Sequence, residues 1–342
     1  MMRRRPGLIA LAPALLLLGG CNKLRVFDPA GSQAHAVRWL IWVFIIVCTA
    51  VYAATMLALL WAMLRNGRGR NLWATPPDPA PEPRGERRTG IVVGIGVALT
   101  VAILLGLTVA TYAVNTRLFG RSGYGEVNIE VTGHQWWWEL RYQDPDPSRN
   151  FTTANEMHVP AGKLVRLVLR SPDVIHSLWL PNLYGKTDLI PGQENYFFFK
   201  PERPGLYLAR CAEFCGFQHA FMGLDVVVDT PEDYEAWRAG QLAPAPEPRT
   251  DEQKRGLQVF TSGPCVLCHA VQGTIANANF GPNLTHLAGR RSLAAGRFPN
   301  TRGYRGAWIA DPQRHKPGVN MPPVILPPED FQALLAYLDT LR

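Results

Sequence analysis

The chain has 342 residues, of which 47% are apolar and 18% charged, and its formal net charge is +8. That length exceeds what one hydrophobic core organises, so several domains are expected, and the low charge fits a protein with part of its mass in lipid. The basic excess gathers at residues 3–5, 65–70 and 84–88 beside apolar segments, with no basic stripe interleaved with aromatics, which argues against nucleic acid as a partner.

Residues 1–21 combine a basic start, an apolar stretch over 8–18 and the ending Leu18-Gly19-Gly20-Cys21. This is the form of a signal peptide, too short to span a bilayer. The small residues before Cys21 are similar to a bacterial lipoprotein cleavage site, in which Cys21 would carry the lipid. Residues 39–64 and 89–116 are uncharged and long enough to cross the hydrocarbon core. The loop between them holds Arg65, Arg68, Arg70, Arg84, Arg87 and Arg88 with a prolyl run over 76–83, so the positive-inside rule places it in the cytoplasm and both chain ends opposite. A two-helix transmembrane hairpin over 37–116 is expected. Cys48 within it reads as a small apolar residue.

Residues 123–235 change to short alternating runs at 127–131, 163–169, 195–199, 206–209 and 224–228, punctuated by Pro160-Ala161-Gly162, Pro191-Gly192 and Pro204-Gly205. The pattern predicts an all-β sandwich or Greek-key barrel with functional loops at one end. One such loop carries Cys211, Glu213, Cys215, His219 and Met222, and His176 lies upstream in Asp173-Val174-Ile175-His176. Thiolate, imidazole and thioether are soft donors that suit copper. A disulfide would leave His219 and Met222 unexplained, a single blue-copper centre needs only one cysteine, and structural zinc has no use for Met222. Two bridging thiolates with a histidine each suit a pair of copper ions.

A stiff, proline-rich linker follows at 240–250. Residues 251–342 open with a helix over 250–261 in which Thr250 is the N-cap and Gln253 completes a capping box. Cys265-Val266-Leu267-Cys268-His269 is a c-type haem attachment motif, with His269 as an iron ligand. Met321 is the one methionine after His269, with His286 and His315 as competitors for the sixth position. Methionine–histidine ligation raises the haem potential and closes the iron to other ligands, as an electron carrier requires. A last helix is predicted over 328–341.

Gly133-His134-Gln135-Trp136-Trp137-Trp138, Asp173-Val174-Ile175-His176-Ser177, Lys186-Thr187-Asp188, Pro191-Gly192 and the 211–222 loop together resemble subunit II of haem-copper cytochrome c oxidases over residues 39–229. Gly281-Pro282-Asn283-Leu284 and Asn320-Met321-Pro322-Pro323 resemble class I cytochrome c domains. The resemblance implies a multi-domain chain: transmembrane hairpin, cupredoxin-like domain and all-α cytochrome c domain. It further implies that Cys211 and Cys215 bridge the binuclear CuA centre, that His176 and His219 cap one copper each, and that Met222 and the Glu213 carbonyl complete the set. The Glu213 carboxylate would reach a magnesium site at the boundary with subunit I, and Trp136 would be where electrons reach the copper. His134 is expected to be structural and hydrogen-bonded, His158 a surface residue, and Asp173 a carboxylate near the copper or magnesium end.

Implied partners are oxidase subunit I and the other oxidase subunits, a cytochrome c or other periplasmic electron donor, and the bacterial inner membrane. Neither predicted span contains histidine, so oxygen reduction and proton translocation would belong to another chain. The rival readings are a CuA-containing nitric oxide reductase subunit and a periplasmic copper-binding protein. Glu86-Arg87-Arg88-Thr89-Gly90 departs from the family's pattern at the start of the second span, which leaves the proton role there unassigned. Residues 123–240 are acidic by about six charges and 250–342 basic by about four, so docking of the haem domain on the copper domain is expected to be steered by charge and weakened by salt. The linker would supply a high effective concentration.

Overall fold

The computed structural model describes residues 24–66, 83–119 and 123–342. The signal segment, Cys21, Arg68, Arg70 and most of the prolyl run lie outside them. Two long helices, α1 (Ser32–Asn66) and α2 (Pro83–Phe119), contain the two uncharged stretches. Each is about 50 Å long at 1.5 Å per residue, more than the hydrocarbon core needs. They overrun the expected bounds because Arg65, Glu86 and Arg87 are good helix formers, and a helix need not stop where charge begins. Their apolar windows are unburied by the rest of the chain, leaving Ile46, Leu57, Leu64, Val92, Leu105 and Val109 exposed. Apolar surface on this scale, left uncovered by the described residues, suits a lipid environment.

Residues 24–34 and 123–342 make a separate compact unit. Its strands are β1 (Val127–His134), β2 (Trp137–Gln143), β3 (Phe151–Ala154), β4 (Glu156–Pro160), β5 (Val165–Arg170), β6 (His176–Trp179), β7 (Lys186–Leu189), β8 (Asn195–Phe199), β9 (Gly205–Cys211) and β10 (Gly223–Asp229). One sheet runs β3-β2-β1-β5-β8 and the other β4-β10-β9-β6-β7. The pairs β1–β5 and β10–β4 are parallel, so the chain changes sheets as in a cupredoxin-like sandwich. Alternation along β2 sends Trp138, Leu140 and Tyr142 inward, where they meet Met157, Leu178 and Val226 in the core. Helix α3 (Pro231–Leu242), capped by Thr230, closes one end and carries the chain past residue 235.

His158 departs from the surface position expected for it. It lies on β4 opposite Val227 and is 8% exposed, because α3 lays Trp237 flat on its ring at a centroid distance of 4.2 Å. Nδ1 lies 2.7 Å from Asp229 and Nε2 3.2 Å from Glu156. Burial opposes the charged ring, but the two carboxylates prevail and hold its pKa above the ordinary 6.5. A raised folded pKa gives stability that is complete below the unfolded value and lost as pH climbs through the folded one. The urea midpoint of the unit is therefore expected to fall as pH rises above 6.5. His158→Phe should flatten that slope and cost about 3 kcal/mol in mild acid by stranding two carboxylates; an unchanged slope would exclude His158 as its source.

Beyond a short irregular stretch come α4 (Asp251–Ser262), the small hairpin β11 (Ser292–Leu293) and β12 (Phe298–Pro299), α5 (Arg302–Ala310), α6 (Pro312–His315) and α7 (Pro328–Leu338). The Thr250–Gln253 capping box forms as read. Helices α4 and α7 cross over a core of Phe260, Leu334, Leu335, Tyr337 and Leu338. Helix α7 stops at Leu338, short of 341, where the Asp339 carboxylate pairs with Arg302 and Arg305. The proline-rich stretch is not free: Ala245 N–H donates to the Gln272 carbonyl at 3.0 Å.

Candidate metal centres

The first cluster forms where β6 and β9 end side by side, with Leu178 opposite Cys211. Cys211 closes β9, and the loop turns back through Gly216 before β10. At φ +110° Gly216 has a backbone a side chain rarely adopts, and an added Cβ would meet the Trp136 ring at 2.9 Å. The Cys211 and Cys215 sulfurs lie 3.7 Å apart as free thiols, both buried. His176 Nδ1 is 3.9 Å from the Cys211 sulfur and His219 Nδ1 is 3.6 Å from the Cys215 sulfur. Met222 Sδ is 3.8 Å from Cys215, and the Glu213 carbonyl accepts from the Cys211 thiol at 3.2 Å. The Glu213 side chain itself is exposed.

Electrostatics fix which atoms face inward. Asp173 Oδ1 is 2.9 Å from His176 Nε2, and Asp173 Oδ2 accepts the Gln135 backbone N–H at 2.7 Å. Burial alone would raise the Asp173 carboxyl, but the His176 ring and the N–H groups of Val174 and Gln135 hold it at about 2. An ionised Asp173 accepts the Nε2–H hydrogen bond, which leaves the Nδ1 lone pair free to ligate on the sulfur side. Asp173 thus acts on the copper side, through His176. The hydrogen bond between the two thiols lowers the pKa of Cys211 and raises that of Cys215. Five side-chain donors, namely two close sulfurs, one imidazole beside each and a thioether, fit a copper pair.

The second cluster lines a cavity of about 580 Å³. Cys265, Cys268, His269 and Met321 stand on its wall with Pro282, Leu284, Trp308, Ile309, Val324 and Leu338. Nδ1 of His269 donates to the Pro282 carbonyl at 2.7 Å, which leaves the Nε2 lone pair free to ligate a metal, and burial favours the neutral ring. A mainly apolar slot with two thiols, a neutral imidazole and a thioether fits a covalent haem. The competitors for the sixth position stand elsewhere. His286 donates through Nδ1 to the Arg342 carbonyl and lines a different cavity, and His315 packs on Phe298.

The clusters are neighbours. Gln135, Trp136 and Trp137 also line the haem-sized cavity, and the Trp136 indole N–H donates to the Cys215 carbonyl at 2.8 Å. Trp138 is a core residue with no exposure. His134 is held by stacking on Trp137 at 4.4 Å, and its buried Nε2 has no partner among the described residues, contrary to the hydrogen bonds expected. Lys316, which no motif in the sequence singles out, is 2% exposed beside Trp136.

Known proteins bear on both clusters. Residues 144–230 match the family described as cytochrome C oxidase subunit II, periplasmic domain, and residues 253–342 match the cytochrome c family. A cytochrome c oxidase subunit 2 of Alkalihalophilus pseudofirmus is 33% identical over 339 residues, spanning 96% of this chain and 94% of that one. The Bacillus subtilis protein of the same name is 28% identical over 350 residues, spanning 98% and 96%. The periplasmic domain of subunit II from Bradyrhizobium japonicum is 31% identical and covers 35% of this chain and 96% of its own, with a TM-score of 0.33.

Proposed function

This chain belongs to the cytochrome c oxidase subunit 2 family, and from that premise we propose that it is the electron-receiving arm of a membrane-bound terminal oxidase. It takes electrons from a periplasmic donor and delivers them to subunit I, where oxygen is reduced to water with proton translocation. His176, Cys211, the Glu213 carbonyl, Cys215, His219 and Met222 would hold CuA. Cys265 and Cys268 would carry haem c, with His269 and Met321 on its iron. When bound, these groups supply one-electron redox chemistry. The polypeptide orients the donors: Asp173 turns His176, the Pro282 carbonyl turns His269, and the apolar walls exclude water. The outward Glu213 carboxylate would reach magnesium at the subunit I boundary. Helices α1 and α2 would anchor the chain in the bacterial inner membrane, with the compact unit on the periplasmic side.

The observation carrying this reading is the position of Trp136, which lines the cavity holding His269 and Met321 and bonds through its indole to Cys215. In the assembled oxidase, an electron placed by flash photolysis on the haem domain is expected to appear at the copper. Trp136→Phe, which keeps a ring but loses the N–H, should slow its arrival several-fold with both optical spectra intact. If the wild-type copper stays oxidised while the haem is reduced, the proposed route is wrong.

A further inference from the structure

A swinging haem domain held by charge would show ion pairs at its contact with the sandwich. Among the described residues no ion pair joins 123–240 to 251–342. The acidic face is used differently: Glu156 accepts the backbone N–H of Arg291 at 2.7 Å, and Asp225 accepts from the Ser292 hydroxyl. Gly223 N–H donates to the Ala295 carbonyl at 2.9 Å, and Gln218 Nε2 donates to the Pro317 carbonyl at 2.8 Å. The contact is built from short, directional bonds around a buried centre.

Lys316 sits at its centre. Its ammonium donates to the carbonyls of Trp136 and Phe221, both at 3.0 Å, and of Ala294 at 3.2 Å. Three N–H groups meet three acceptors, which satisfies a buried ammonium fully. Ala294 and Ala295 form the tip of the β11–β12 hairpin with φ of +53° and +59°, a left-handed conformation that costs about 1 kcal/mol or more for each residue bearing a Cβ. That strain persists where surrounding contacts over-determine it. Here both tip carbonyls are taken, one by Lys316 and one by Gly223. The next residues lie on the indole, since a Cβ at Gly318 would stand 3.5 Å from the Trp136 ring. Three residues further on comes Met321.

The geometry points to Lys316 as a positioning residue that locks the Met321 loop onto Trp136 and makes the haem domain a fixed, pre-docked electron donor. This rests on the proposed electron route and adds what holds it in register. Removing the amine strands three buried carbonyls, so the docked arrangement should lose to undocked ones in which the domain must find its face again.

The test is intramolecular electron transfer from haem to copper in the assembled oxidase, followed by flash photolysis while glycerol and salt are varied. In the wild type the rate should depend on neither solvent viscosity nor ionic strength. Lys316→Met, which keeps the side-chain length, should slow it about tenfold or more and make it sensitive to both, because a freed domain returns by diffusion and charge. Hydrogen exchange gives a readout independent of redox chemistry: the amides of Gly223 and Arg291 should lose protection in Lys316→Met while those of the α4–α7 crossing keep theirs. Wild-type transfer that slows with viscosity would overturn the inference even if Lys316→Met failed to fold. A Lys316→Met oxidase with unchanged rate and protection would overturn it too. Wild-type copper that never accepts the electron would instead indict the electron route, so the two failures are distinguishable.

Discussion

Replacing Cys215 with serine is expected to abolish the mixed-valence copper signal and to cut oxidase turnover by on the order of a hundredfold or more, since even residues that only orient metal ligands are worth 10–100-fold. Cys215 is the hub of its cluster, with Cys211 Sγ, His219 Nδ1 and Met222 Sδ within 3.6–3.8 Å of its sulfur. A hydroxyl is a harder and smaller donor, and cannot bridge two soft ions as a thiolate does. The backbone should survive: the residue is 2% exposed, and serine keeps its shape at the cost of burying one hydroxyl. Metal analysis and electron paramagnetic resonance on the purified variant decide the matter. Cys48→Ser, on the exposed face of α1, is the control expected to change neither. A full mixed-valence signal from Cys215→Ser would remove Cys215 from the ligand set.

Gly256→Ala is expected to unfold the haem domain, or to destabilise it by about 3 kcal/mol or more, the upper end for forced overpacking. Gly256 sits mid-way along α4, where helix propensity alone would favour alanine by about 1 kcal/mol. The crossing with α7 reverses that preference. An added Cβ would stand 2.0 Å from the Ala333 carbonyl oxygen and 2.7 Å from Tyr337 Cβ. Neither neighbour can yield, because one is helix backbone and the other roots a buried ring. The measurable outcome is weak haem incorporation, read as the ratio of haem absorbance to protein, with the copper centre retained. A normal ratio and an unchanged melting point would mean that the helices cross at a greater distance.

Much of this arrangement was legible from the residues themselves. Ligand types at short intervals identified both clusters, because metal chemistry limits which side chains serve. The bounds expected for the 195–199 strand are its true ones, since β8 is an aromatic run set off by turn residues. Strands β2, β3, β4, β6 and β7 escaped notice for different reasons. Three of them have only four residues, β4 is buried throughout and shows no alternation, and the tryptophans of β2 concealed its period. His158 was misread, and Lys316 not singled out, for one shared reason: burial of a charged side chain depends on partners distant in sequence. Glu156 and Asp229 flank one, and carbonyls at 136 and 221 hold the other. Net charge suggested attraction between the two halves, but said nothing of the form of their contact. Two of the acidic groups act as acceptors for neutral donors, so the inferred pre-docked arrangement predicts indifference to salt where net charge alone predicts weakening.

Trp136 retains 7% of its surface. With Gly318 seated against the ring, little of the indole is left for a soluble redox protein to touch. On the proposed route the two centres would be wired in series rather than in parallel, with each electron first accepted at the haem. Supply from outside then sets the current, and a chain shortened before residue 250 would bare a second terminal that the intact protein keeps covered.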